Sequence, residues 1–529
     1  MQRPLILNGF MATGKSTVGA RIAQATGRPL IDLDRTIENE TGASIESLFA
    51  TRGEAAFRAL ERACLERVLL EATATSRPPV IAVGGGALLA RDLRLRALDE
   101  CVVIALEGSP VELTRRALQQ GPRPLLAGPN PEQRVSELLA LRATSYAEAH
   151  ARISSEGPLE SVVARVLEVW SRDELAVAVG EASYSVQTGL GFASGRVGAL
   201  IAQSPVCVLV SDRTVAALHA APIEAALRAL GARLVRVDFE PGEAHKNIAS
   251  VERVWHAALE GGADRKATFV GLGGGVVTDM TGFAASTWMR GVRWLAIPTT
   301  LLAMVDASVG GKTGVDLAAA KNAVGAFWQP SGVLCDVQYL GTESKRGFIS
   351  GLAEVVKTAL IGDPGLFALL EDNAERVAGR DLELTAELVR RSIRVKARIV
   401  SFDQRESGLR AVLNLGHTVG HALEAQAGYS ALSHGEAVSL GLVAALRLGE
   451  ALGHTPRELK ERTLSLLQRL GLPATLSGQP LTEASALLGH DKKRAGSAVK
   501  FVFARGMGQV ETHSIALTEL RTRVLELAD

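Results

Sequence analysis

Residues Gly9-Phe10-Met11-Ala12-Thr13-Gly14-Lys15-Ser16 spell a phosphate-binding loop, Gly-x-x-x-x-Gly-Lys-Ser, directly after the apolar run Leu5-Ile6-Leu7. A glycine-rich turn between a strand and a helix aims backbone N–H groups and a helix N-terminus at one place, where a polyphosphate can sit. Lys15 would reach the β and γ phosphates, and the Ser16 hydroxyl would help hold Mg2+. The loop therefore implies an α/β unit with a parallel sheet and phosphoryl transfer as its chemistry. Further apolar runs at residues 29–31, 80–83 and 102–106 are separated by helix-length stretches, the rhythm of such a sheet. Asp32 and Asp34 stand at the end of the second run, at the carboxyl edge where ligands gather. One carboxylate can serve the metal and the other a substrate hydroxyl, with an N-cap pair as the plainer alternative.

The chain has 529 residues, room for about three domains. The first pattern fades after residue 150, Ser154-Ser155-Glu156-Gly157-Pro158 breaks it, and residues 159–170 read as a closing amphipathic helix. The expected domains are 1–172, a P-loop kinase; 173–338, a Rossmann-like α/β unit; and 339–529, mainly α-helical. Strands are expected at 206–210, 233–237, 268–271 and 293–297. Helices are expected at 366–378, 382–400, 437–452 and 456–470, with strand composition returning at 499–503. Lys and Arg total 58 against 57 Asp and Glu, a balance that argues against nucleic acid and membrane as partners and leaves small molecules. Cys64, Cys101, Cys207 and Cys335 form no Cys-x-x-Cys pair and suit a reducing compartment. With no charged leader and no apolar run near the roughly 20 residues of a membrane span, a soluble cytoplasmic protein is expected.

A second glycine-rich site, Gly273-Gly274-Gly275, follows the apolar residues 268–272, where a cofactor pyrophosphate could approach the backbone. The spacing differs from Gly-x-Gly-x-x-Gly, so a variant nucleotide fold is implied. Asp279 adds a carboxylate near the start of the next helix. The run from Pro298 to Lys312 mixes polar and charged residues into an apolar stretch and reads as a site wall, with Lys321-Asn322 after it. Glu354 and Lys357 are one helical turn apart, His417 and His421 share a helix face, and His434 opens another segment. A glutamate with two histidines is a plausible catalytic zinc set, because three protein ligands leave a coordination position for substrate.

Residues 3–170 resemble shikimate kinase through several motifs: the loop, Gly53-Glu54 with Phe57-Arg58, Gly84-Gly85-Gly86-Ala87, Arg123-Pro124-Leu125-Leu126, and Arg142 near Tyr146. The resemblance implies that Asp34, Arg58, Gly85, Gly86 and Arg142 hold shikimate, the two arginines clamping its carboxylate. It implies Gly9, Gly14, Lys15, Ser16, Thr17 and Arg116 on the nucleotide, Asp32 beside magnesium, Asp34 as acceptor of the attacking hydroxyl's proton, and Arg123 as the lid arginine. Ala12 departs from the family's usual glycine. From about residue 175 onward the chain resembles 3-dehydroquinate synthase, most specifically around Lys312. That likeness implies Zn2+ or Co2+ on Glu354, His417 and His434. It places NAD+ among Asp212, Glu243, Lys246, Gly274, Gly275, Asp279, Thr299, Thr300, Lys312, Lys321 and Asn322. Substrate and catalytic roles fall to Asp306, Lys312, Asn322, Lys357, Lys396, Arg410, Asn414 and His421. Arg290 corresponds to a residue reaching a partner subunit, which implies a homodimer. One of Lys492 and Lys493 is expected to face substrate. Asp316 and Ala320 depart from the usual residues beside Asn322.

Together the resemblances imply a bifunctional enzyme of aromatic biosynthesis using ATP with Mg2+ in one half and NAD+ with a divalent metal in the other. The two steps are not consecutive, so no handover between sites is implied. Another sugar-phosphate cyclase, a polyol dehydrogenase, or one catalytically silent half are the alternatives.

Overall fold

A computed structural model describes residues 3–119, 126, 129–201, 204–317, 320–428, 431–488 and 498–528. Arg123, with Pro124 and Leu125, and the Asp491-Lys492-Lys493 stretch lie outside the described residues. The chain forms two compact units, Met1–Gln187 and Thr188–Asp529.

In the first unit, β1 (Leu5–Gly9), β2 (Leu30–Asp32), β3 (Val80–Ala82), β4 (Val102–Glu107) and β5 (Ala151–Ser154) pair in parallel in the order 2-3-1-4-5. Alternation along β1 sends Leu5 and Leu7 to one face and Ile6 to the other. The first pair packs with Val18, Ile22, Val166 and Trp170 of the helices Lys15–Thr26 and Leu159–Arg172; Ile6 packs with Leu33, Ile37, Phe57 and Leu65. With both faces covered, the carboxyl edge is left to carry the site, and Gly9 and Asp32 end their strands there. The strand β5 was not expected, because only Ile153 of its four residues is buried. An antiparallel pair, β6 (Leu175–Val177) and β7 (Tyr184–Gly189), follows.

The second unit adds β8 (Val206–Asp212), β9 (Arg233–Phe239), β10 (Thr268–Gly273), β11 (Arg293–Pro298), β12 (Lys312–Leu317), β13 (Ala320–Phe327), β14 (Val333–Asp336), β15 (Ala498–Gly506) and β16 (Gln509–Ala516). Strands 14-11-10-8-9 make a parallel sheet, while β12 with β13 and β15 with β16 are antiparallel ribbons. The four strands expected here are present, each running one or two residues further at its carboxyl end. Beyond β14 the unit is chiefly helical, with Lys345–Gly362, Leu382–Phe402, His417–Gln426, His434–Ala451 and Arg457–Arg469 as its long elements. The stretch 366–378, expected as one helix, is two: Pro364–Asp372 and Ala374–Ala378 meet at Asn373, whose backbone leaves the helical region (φ −130°). The helix Lys345–Gly362 is buried without a break from Ser350 to Ile361, so Glu354 and Lys357 project into the interior. All four cysteines are free and buried.

Ala12 occupies the left-handed region (φ 61°), where a β-carbon is unfavourable and glycine is at ease. The replacement therefore strains the loop backbone. Ala12→Gly should stabilise the first unit by about 0.5–1 kcal/mol, the relieved strain exceeding the unfolded-state entropy that glycine adds. Chemical denaturation of the wild type and the variant measures it.

Candidate functional site

In the first unit Lys15 Nζ donates to the carbonyls of Gly9 (2.9 Å) and Phe10 (2.8 Å), which folds the lysine over the loop. The helix Lys15–Thr26 starts at Gly14 in the left-handed region with no side-chain cap, so its first N–H groups remain for a phosphate. A β-carbon on Gly9 would lie 2.3 Å from the Leu106 carbonyl oxygen, so β4 enforces glycine where the loop begins. Asp32 caps the helix Leu33–Thr41 through Arg35 N–H (3.3 Å), the plainer of its two readings, and Asp34 follows in the first turn.

Around Asp34 a small polar cradle forms. β-Carbons built on Gly84 and Gly86 would lie 3.0 Å from Asp34 Oδ1 and 2.3 Å from Arg58 Nη1, and Arg142 and Tyr146 both donate to the Gly85 carbonyl (3.3 and 2.7 Å). Asp34, Arg58, Gly85, Gly86 and Arg142 thus meet at one place, as their motifs imply. Arg142 is buried and Arg58 is 25% exposed, so neither lies on a solvated helix face. Sequence reading missed Glu61, which accepts from Arg58 Nη1 at 2.5 Å and is 2% exposed; burial pushes its carboxyl up while Arg58 opposes the shift. The i,i+3 spacing of Arg58 and Glu61 was the available signal. Arg116 is held by Glu112 (2.6 Å) and Ser155 (3.4 Å) beside the sheet's last strand.

In the second unit the helix Gly275–Thr287 also opens without a side-chain cap, at Gly274. A β-carbon on Gly274 would come within 3.2 Å of Thr300, and the buried Thr299 hydroxyl has no partner among the described residues, two features that fit an anionic cofactor group at this edge. Asp212 caps the helix after β8 through Val215 N–H (2.9 Å). Asp279 lies in the second turn of its helix and accepts from Lys246 Nζ (2.6 Å), which also donates to Asn322 (2.6 Å). Burial alone would lower Lys246, but Asp279 and Glu243 hold it above its ordinary value. Asp316 accepts from Asn322 N–H (2.6 Å) and so fixes Asn322 in the left-handed turn (φ 49°). Lys321 joins Glu424 (2.9 Å) to Glu243 (3.5 Å).

Glu354, His417 and His434 converge so that one ligand atom from each lies within 4.8 Å of the others. Glu354 Oε1 is 3.4 Å from His417 Nε2 and 3.3 Å from His434 Nε2, while Lys357 Nζ lies 2.5 Å from Oε2. Both carboxylate oxygens are buried and, among the described residues, neither has a hydrogen bond of good geometry, the ion pair to Lys357 included. A buried carboxylate facing two imidazoles in this way fits a divalent cation. Burial pushes Glu354 up, but Lys357, His434 and His417 together outweigh it and the carboxyl falls to about 2. Burial pushes His417 well below its ordinary value. His434 is pushed down by burial and lifted more strongly by Glu354 and Glu424, reaching about 10. His421 lies beside both metal-type histidines, its ring edge-on to His417 at 5.0 Å and tilted to His434 at 6.0 Å.

Opposite this cluster the wall residues carry their own pairs. Lys396 donates to the Asp306 backbone oxygen (2.6 Å) and to its carboxylate, and burial lowers its ammonium to about 8. Arg410 donates to the carbonyls of Gly310 (3.1 Å) and Gln404 (2.6 Å). Glu406, also missed in the sequence, pairs with Lys312 and accepts from Asn414 (2.9 Å). Glu424 is the third omission: its Oε2 lies 3.4 Å from His434 Nδ1, and its Oε1 takes Lys321. Arg290 lies elsewhere, exposed and left-handed (φ 68°) between the helix Gly275–Thr287 and β11. Among the described residues no helix is long and apolar enough to cross a membrane.

These two sites define a phosphate-binding-loop kinase of a small carboxylate substrate and a metal-type enzyme on a nucleotide-binding sheet. The family model for shikimate kinase matches residues 11–171, and those for the N-terminal and C-terminal parts of 3-dehydroquinate synthase match 236–350 and 351–494. The 3-dehydroquinate synthase of Citrifermentans bemidjiense is 41% identical over 64% of this chain and 93% of its own length, and that of Bordetella pertussis 41% over 66% and 98%. A solved structure of 2-epi-5-epi-valiolone synthase from Streptomyces hygroscopicus, with NAD+ and Zn2+ bound, is 28% identical with a TM-score of 0.61, covering 66% of this chain and 98% of that one. The chain belongs to the 3-dehydroquinate synthase family and carries a shikimate kinase domain ahead of it.

Glu424 orients His434 from behind, so Glu424→Ala should weaken zinc binding by about 10–100-fold. Chelator competition on the purified chain measures the change without reference to turnover.

Proposed function

We propose that one chain performs both family reactions: phosphorylation of the shikimate 3-hydroxyl with ATP and Mg2+, and conversion of 3-deoxy-D-arabino-heptulosonate 7-phosphate to 3-dehydroquinate and phosphate with NAD+ and Zn2+ or Co2+. The observation that carries this reading is the meeting of Glu354, His417 and His434 with Lys357, in the same unit as a sheet edge fit for a nucleotide. The bound NAD+ and Zn2+ of the valiolone synthase support those two cofactors here. When bound, NAD+ would take up and return a hydride, a divalent ion would polarise the hydroxyl being oxidised, and MgATP would supply the phosphoryl group.

The chain's own residues bind and position. Arg58 and Arg142 clamp the shikimate carboxylate, Asp34 receives the attacking hydroxyl's proton, and Lys15 steadies the phosphates. In the synthase half Lys312, Lys357, Lys396 and Arg410 neutralise the substrate's phosphate and carboxylate. Glu406 holds Lys312 and Asn414 at that wall, and His421 relays protons near the metal ligands. The exposed Arg290 loop extends toward a partner subunit of a homodimer, and the enzyme works in the cytoplasm.

Incubation with the heptulosonate phosphate, NAD+ and Zn2+ tests the synthase assignment: phosphate and dehydroquinate should appear with no net NADH, whereas NADH accumulation would mark a dehydrogenase. If Lys396 binds an anionic group of the substrate, its positive form is the competent one. Because that form is lost as pH rises through about 8, kcat/KM should fall above this pH, and Lys396→Met should remove the step from the profile. If Arg290 completes the partner's site, two inactive variants, Arg290→Ala and Lys357→Met, should recover about a quarter of wild-type synthase activity when their subunits are exchanged. No recovery would place Arg290 outside the partner's site.

A further inference from the structure

The helix His434–Ala451 has a metal-type histidine at its N-terminus and, just past its other end, a second histidine set that the proposed reactions do not use. His454, Glu511 and His513 place one ligand atom each within 4.8 Å of one another. Glu511 and His513 are two apart on β16 and share a face of the ribbon, paired across it with Phe503 and Phe501. His454 reaches that face from the turn after the helix, where its own N–H is tied to the Gly449 carbonyl (2.7 Å). Its ring stacks on Phe503 (4.6 Å, 16° between planes), and His513 meets Phe503 edge-on (5.6 Å). Both imidazoles are thereby fixed with a nitrogen on the same carboxylate oxygen: His454 Nδ1 lies 2.9 Å and His513 Nε2 2.7 Å from Glu511 Oε1.

We propose that His454, Glu511 and His513 form a second divalent transition-metal site, of the kind zinc takes, which clamps the β15–β16 ribbon to the end of the helix His434–Ala451. The chemistry is that of two neutral imidazoles and one carboxylate, a set that selects zinc, nickel or copper over magnesium or calcium. The geometry needs little change. Metal–ligand bonds of about 2.0–2.2 Å put tetrahedral ligands about 3.3–3.5 Å apart, so His454 need retreat from Glu511 by about 0.5 Å and His513 by about 0.7 Å. The aromatic wall formed by Phe501 and Phe503 keeps one side of the set dry, which strengthens the ion's attraction to the carboxylate. Arg505, now 3.1 Å from the same Oε1, is half exposed and gives way to the ion by turning into solvent.

Zinc stoichiometry of the metal-stripped and reloaded full chain tests this. The wild type should bind two zinc ions. His513→Gln and His454→Gln should each bind one, and each should lose the zinc-induced rise in Tm that the ribbon clamp gives. His417→Ala should also bind one, through the ribbon set, so failure of the Glu354 site and failure of this one give different patterns. Equal Tm values for the metal-free wild type and the two glutamine variants establish that any loss is of ligands and not of fold. Should both glutamine variants bind as much zinc as the wild type, with unchanged affinity, the ribbon site is overturned.

Discussion

A carboxylate buried in protein without hydrogen bonds is costly unless positive charge surrounds it, and Glu354 is such a group. In the deeply buried helix Lys345–Gly362 its charge is met by Lys357 of the same helix and by His434 at the start of another, while His417, kept neutral by burial, turns a ring nitrogen toward it. Replacing Glu354 by an apolar residue would leave Lys357 stranded in the interior. Three helices thus meet at one buried charge, and a divalent cation seated there would help balance it.

Ionic contacts join the β12–β13 ribbon and the wall after β11 to the helices around that centre. Lys321 on β13 joins Glu424 behind His434, Lys312 on β12 meets Glu406, and Lys396 meets Asp306 in the wall after β11. Each pair bridges the ribbon or wall to the helices, so substrate anions arriving among these lysines would compete with carboxylates already holding them. An anion bound there would exchange one set of ion pairs for another. The first unit holds its arginine in the same way on a smaller scale, with Glu61 accepting from Arg58.

Much of this was legible in the sequence because the signals were local. The loop 9–16, the Glu354–Lys357 turn and the His417–His421 spacing fix chemistry within one element, and the parallel strands announced themselves as short apolar runs. What escaped were groups whose meaning lies in tertiary partners. Glu406 and Glu424 are ordinary acidic residues in polar contexts until the fold sets them against Lys312 and His434. The strand β5 escaped because an edge strand with one buried residue carries no periodic signal, and the helix break at Asn373 because helix propensity outweighed it locally. Ala12 was recognised as a departure, yet its consequence depends on a backbone angle that composition does not reveal.

The central claim is that two active sites, each working without the other, share this chain. The most direct measurement follows both reactions in single preparations of the wild type, Asp34→Asn and Glu354→Gln. Shikimate phosphorylation should fall by at least about 100-fold in the first variant with cyclisation intact, and cyclisation should fall by a similar factor in the second with phosphorylation intact. Loss of both activities in either variant, or of neither, would contradict the account.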